Sequence, residues 1–165
     1  MTASAPERER LTRLLRLVER EDVHLRAVRD RLLGDDCSLD AGWGSGLLSD
    51  DTGIDRLESF GAKFARMQDT MIDKLIPALL LAAGEPVMAA IDNLSRMERL
   101  GLVAATEPWL EMRRLRNRLV YEYIDHPGDL AVALERACEF TDHMHADYVL
   151  IRRYAATDLG IECSP

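Results

Sequence analysis

Phe60–Leu80 reads FGAKFARMQDTMIDKLIPALL, and the spacing of its apolar residues decides the fold. With Leu57 just ahead of it, Phe60, Phe64, Met67, Met71 and Leu75 recur every three or four positions, which stacks them along one face of an α-helix. The helix is expected to begin near Asp51 or Thr52. Pro77 has no amide hydrogen and crowds the turn before it, so the helix should kink or restart there and end at Gly84.

The same periodicity extends in both directions. Leu11, Leu14, Val18, Leu25, Val28 and Leu32 predict a first helix from near Pro6, its other face an alternation of Arg and Glu best read as solvated. Residues 34–51, GDDCSLDAGWGSGLLSDD, read as a loop that is either mobile or a lid. After Gly84, Glu85-Pro86 should open a third helix lined by Val87, Ile91, Leu94, Met97 and Leu100 and stopped by Gly101. Thr106 is the expected N-cap of a fourth, with Pro108 in its first turn, running to about Ile124. His126-Pro127-Gly128 ends it. Asp129 should cap a fifth helix striped by Leu130, Leu134, Ala137, Met144, Tyr148 and Ile151. Strand patterns and internal repeats are absent. The expectation is an all-α, antiparallel up-and-down bundle of four to five helices forming one domain over residues 1–165.

Composition agrees with helices and restricts function. Hydrophobic residues make up 47% of 165 positions and aromatics only 5%, and unbranched side chains of the Leu, Met, Glu and Arg type lose little freedom in a helix. The formal charge of −8 argues against a protein that coats nucleic acid, because such binding displaces counterions with a basic surface. Any nucleic-acid contact must therefore be local. Cys37, Cys138 and Cys163 are odd in number and far apart, which predicts reduced cytosolic thiols rather than a disulfide frame. No apolar run is long enough to cross a bilayer, so a cytoplasmic protein without membrane contact is expected.

The histidines do not form a metal site on paper. His143 and His145 are two apart and face opposite sides of a helix. Glu139 and His143 have a better spacing but lack a third ligand, while His24 and His126 stand alone. All four read as surface or partly buried histidines. No GxSxG, Walker, Rossmann or HExxH pattern occurs, and no metal or cofactor is expected.

Arg113–Tyr123, RRLRNRLVYEY, carries the chemistry. Arg116 and Tyr123 are seven apart and nearly eclipsed along the helix, and Asn117 and Tyr121, four apart, lie beside that line. One face then bears a guanidinium, an amide and two phenols. A planar guanidinium can donate two parallel hydrogen bonds to a phosphate, so Arg113 and Arg118 are candidate phosphate-binding residues beside Arg116. The plainer alternative is that the arginines solvate the helix and the tyrosines pack.

This run resembles the signature of the HEPN superfamily, most closely of HepT-type proteins, whose pattern is Arg-Asn, three residues, His, one residue, Tyr. The Phe60–Leu80 helix, LSRMERLGLV (94–103) and WLEMRRLRN (109–117) look like corresponding parts of those proteins, so the resemblance is clearest over residues 52–155. It implies a dimeric helical bundle with a composite cleft between two motif helices. It also implies a metal-independent endoribonuclease of a toxin–antitoxin pair, whose partner is a minimal nucleotidyltransferase that can transfer AMP to the motif tyrosine. Carried over, Arg116 matches the catalytic arginine, Asn117 its polar companion and Tyr123 the tyrosine open to AMPylation. Tyr121 stands where the family has histidine. A phenol with a pKa near 10 is a poor base at neutral pH, and general acid–base assistance is commonly worth roughly 10²–10⁴ in rate. The expectation is a homodimeric HepT-like partner of a nucleotidyltransferase with weak or lost ribonuclease activity. The alternatives are an active endoribonuclease, for which His126 is the nearest substitute base and RNA the substrate, and a non-catalytic helical dimer with a regulatory role.

Overall fold

Ser4 starts the first helix. Its hydroxyl accepts from the Glu7 amide while the Glu7 carboxylate accepts from the Ser4 amide, a reciprocal cap that satisfies two otherwise orphaned donors. The computed structural model of the chain describes residues 2–34, 37, 39, 40, 42–121 and 127–163. They form α1 (Ala5–Leu33), α2 (Trp43–Leu47), α3 (Asp51–Thr70), a π-helical turn (Met71–Leu75), α4 (Ile76–Ala82), α5 (Ala90–Arg99), α6 (Thr106–Tyr121) and α7 (Pro127–Leu159). No strand occurs among the described residues. The protein is all-α.

Pro77 is accommodated by widening the turn ahead of it rather than by breaking the helix. The Ile76 amide bonds back to the Met71 carbonyl, five residues away, so α3 and α4 run as one helical pass through the π-helical turn. The pass ends at Gly84, whose φ of 73° lets the Glu85 amide reach the Leu80 carbonyl at 2.9 Å. Every expected apolar residue of α1, α3 and α7 is buried.

Four passes enclose the core, and each neighbours the next in antiparallel sense. Arg8 near the start of α1 donates to the Leu159 carbonyl at the end of α7 (2.7 Å), and Tyr148 donates to the Leu15 carbonyl (3.0 Å). Glu21 of α1 meets Thr70 of α3 (3.0 Å), whereas Glu7 and Arg10 lie near Pro77 and Leu81. Asp69 and Asp73 meet Arg116 and Arg113 of α6 in reversed order, and Trp109 and Glu111 of α6 meet Asp147 and Arg136 of α7. The ring α1–α3–α6–α7 is thus an up-and-down arrangement.

Four local expectations need correction. α5 begins at Ala90, not at Glu85-Pro86, because Asn93 turns inward and bonds both the amide and the carbonyl of Met88 (2.8 and 3.0 Å), holding residues 85–89 out of the helix. Only Leu94 and Met97 of the expected stripe are buried. Val87, Ile91 and Leu100 are exposed. Thr106 is the first residue of α6 rather than its cap, its hydroxyl donating to Glu98 Oε2 (2.7 Å). Asp129 lies in the first turn of α7, which starts at Pro127.

The fourth correction concerns cysteine. Cys37 and Cys138 are joined as a disulfide, with Cα atoms 6.1 Å apart, and Cys163 alone is a free, buried thiol. The described part of residues 34–51 is therefore a strap on α7. The Leu39 amide donates to Glu135 (2.7 Å), and Leu39, Trp43, Leu47 and Leu48 pack against the core. At its end the strap backbone presses on α3, where a Cβ on Gly53 would stand 2.0 Å from the Leu47 carbonyl oxygen. No helix is long and apolar enough to cross a membrane among the described residues.

Candidate functional site

The candidate site is built on α6, whose inner stripe of Trp109, Met112, Leu115 and Leu119 is buried. This stripe fixes the helix about its own axis and divides the charged residues between two flanks. On the α3 side, Arg116 makes an ion pair with Asp69, and Arg113 Nη2 lies 3.4 Å from Asp73 Oδ1. On the α7 side, Glu111, Arg114 and Arg118 line a cleft of about 410 Å³ with Asp129, Val132 and Arg136, and Arg136 pairs with Glu111. Asn117 projects from the outer face and is exposed.

The expected site is therefore brought together only in part. Arg116 and Asn117 are neighbours at the outer surface, but one guanidinium nitrogen of Arg116 already pairs with Asp69 of the same chain. Arg113 and Arg118, the candidate phosphate-binding residues, lie on opposite flanks. Tyr121 is the last residue of α6, and its side chain lies outside what the structure describes. Tyr123 and His126 also fall outside the described residues.

Two carboxylate–histidine arrangements were not anticipated. Asp147 is 1% exposed and accepts hydrogen bonds from Trp109 Nε1 (2.8 Å) and the Ala104 amide (3.1 Å), with His143 Nε2 3.4 Å away. Burial raises its pKa above the ordinary carboxylate value, against the lowering effect of both donors and of His143. Asp22, also buried, meets His145 Nδ1 at 2.8 Å and Arg26 Nη2 at 3.0 Å. The first arrangement lies within α7 and is joined to α6 through Trp109, and the second ties α1 to α7. The sequence held half of each signal, since Asp147 is four beyond His143 and Arg26 four beyond Asp22. On spacing alone His143 pairs equally well with Glu139, on the preceding turn. Among the described residues no group of three His, Cys, Asp or Glu side chains is arranged to hold a metal ion.

No family model, curated protein or solved structure matches the chain.

Proposed function

We propose that this chain is a HepT-like partner of a minimal nucleotidyltransferase, a cytoplasmic homodimer whose own ribonuclease chemistry is weak or lost. The observation that carries the reading is the Arg116–Asp69 pair beside an exposed Asn117, on the helix that has Tyr121 at the family's histidine position. An internal carboxylate beside a guanidinium offsets part of its positive charge and weakens its pull on a phosphate. A phenol in place of imidazole puts a poor base at the family's proton-transfer position. The all-helical, antiparallel architecture and the position of Arg116 and Asn117 at the outer surface of α6 are both compatible with this role.

The partner's reaction would be attack of a tyrosine phenol oxygen, of Tyr123 or Tyr121, on the α-phosphorus of ATP. The bond from that phosphorus to the pyrophosphate oxygen breaks, and the phenol proton passes to a base. The product is a phosphodiester on the tyrosine. An added AMP weighs against a ribonuclease role because it places negative charge where RNA phosphate would approach.

Two experiments test the proposal. Co-expression with a minimal nucleotidyltransferase from the same gene neighbourhood should yield a stable complex, and intact mass should show one AMP per chain, lost in Tyr123→Phe/Tyr121→Phe. Metal-free incubation with mixed RNA should give cleavage by Tyr121→His, little by the native chain and none by Tyr121→His/Arg116→Ala. Cleavage by the native chain that Arg116→Ala abolishes would establish the active endoribonuclease instead. Neither complex, adduct nor cleavage would leave the regulatory helical dimer.

A further inference from the structure

We propose that the apolar groove between α1 and α4 is an interface between two copies of this chain, each seating the exposed side chains at the start of α5 against the groove of the other. This inference does not depend on the HepT-like reading, whose two-fold contact would lie at the motif on α6.

Exposed apolar side chains are gathered in one stretch. Of the seven large hydrophobic residues that stand exposed among the described residues, four fall between Leu81 and Ile91, from the end of α4 to the start of α5. Leu81 and Val87 line a groove of about 250 Å³ together with Pro77, Ala78 and, from α1, Glu7 and Arg10. Met88 and Ile91 follow Val87 by one and four residues and are the more exposed. The segment is held in place from within. Asn93 is buried and bonds both the amide and the carbonyl of Met88, so Val87 and Met88 are presented on an ordered backbone and little chain entropy is lost on docking.

Shape, charge and area select a second copy as the occupant. The groove and the protruding side chains are neighbours in the chain, so one two-fold rotation fills both grooves at once, the self-matching arrangement of most dimers. Glu7 and Arg10 stand a turn apart on the rim, and a two-fold axis reverses their order, setting Arg10 of each copy against Glu7 of the other. Arg10 is exposed and makes no ion pair among the described residues. The two rim charges cancel in a chain of net charge −8, so two copies meet where their repulsion is least, while a strongly charged partner finds no steering field there. Leu81, Val87, Met88 and Ile91, each about half exposed, offer on the order of 400 Å² of apolar surface, the size of a functional patch on a monomer. That is small for a specific interface, so the dissociation constant should be roughly 10–100 µM.

The test is sedimentation equilibrium of the full chain from about 1 µM to about 1 mM, with peptide-resolved oxidation of Met88 by hydrogen peroxide at both limits. Met88 is a native reporter, since Met67, Met71, Met97, Met112 and Met144 are fully buried. The average mass should rise with concentration, and Met88 should oxidise roughly fivefold more slowly at the upper limit. Met88→Asp/Ile91→Asp and, separately, Leu81→Asp should return the mass at the upper limit to that of the dilute chain without altering the far-UV circular dichroism, because all three side chains are exposed. Arg10→Glu should weaken association and Arg10→Lys preserve it. A mass independent of concentration, with Met88 oxidised at one rate throughout, would overturn the proposal and leave the groove to a different protein. Association that leaves Met88 unprotected, or that survives both sets of aspartates, would place the contact elsewhere and overturn it equally.

Discussion

Trp109→Phe should destabilise the protein by roughly 2.5–4 kcal/mol at neutral pH, and by less as the solution is acidified. Trp109 is fully buried and its indole N–H donates to Asp147 Oδ2 at 2.8 Å. Loss of a hydrogen bond to a charged acceptor costs about 1.5–3 kcal/mol. The smaller ring leaves an unfilled space worth about 1 kcal/mol more. The first contribution depends on the charge of Asp147, whose pKa burial already raises above its ordinary value despite the stabilising hydrogen bond from Trp109. A carboxyl with a raised folded-state pKa contributes stability that is complete below its unfolded value and is lost as pH rises through the folded value. Without the indole donor the folded value moves higher still. The variant then loses stability over a wider pH range than the native chain, and the gap between them narrows toward about pH 4. Urea unfolding followed by far-UV circular dichroism at both pH values measures it. A deficit independent of pH, or one under about 1 kcal/mol, would refute the role given to this hydrogen bond and leave packing alone.

Three further outcomes are expected. Asp69→Asn removes the carboxylate held by Arg116, a part-exposed pair worth about 0.2–1 kcal/mol; its loss should tighten binding of a short RNA by up to about fivefold in fluorescence anisotropy, provided Arg116 is intact. Gly53→Ala places a Cβ 2.0 Å from the Leu47 carbonyl oxygen, so it should cost more than about 2 kcal/mol and speed hydrogen exchange at α2. Gln68 is fully buried with neither amide atom partnered, and Gln68→Leu should raise the urea midpoint by an amount corresponding to about 1–2 kcal/mol. A lowered midpoint would mean that buried water satisfies the amide.

The helices were legible in the sequence where burial is one-sided and continuous. Phe60, Phe64, Met67, Met71 and Leu75 are buried along an unbroken pass because three-and-four spacing tolerates one widened turn. α5 was misread for a related reason. A short helix carries too few apolar residues to define its own register, and a single buried amide, Asn93, set its start. Polar residues that bond their own backbone look no different in a sequence from those facing water.

The site was legible as a list of residues but not as an arrangement. Spacing places Arg113 and Arg116 on one flank of α6 and Arg114 and Arg118 on the other, yet what each flank meets depends on helices elsewhere in the chain. Asp69 and Asp73 happen to face the first flank, which turns two candidate phosphate ligands into internal ion pairs. The cysteines make the same point over a longer distance. Cys37 and Cys138 are 101 residues apart in sequence, and only the docking of residues 34–51 on α7 brings them together. A pairing rule based on cysteine count reports the usual behaviour of a compartment, whereas the bond depends on which two sulfurs the fold places in reach. Proximity set by the fold, more than residue type, therefore decides how Arg116 and Cys37 behave.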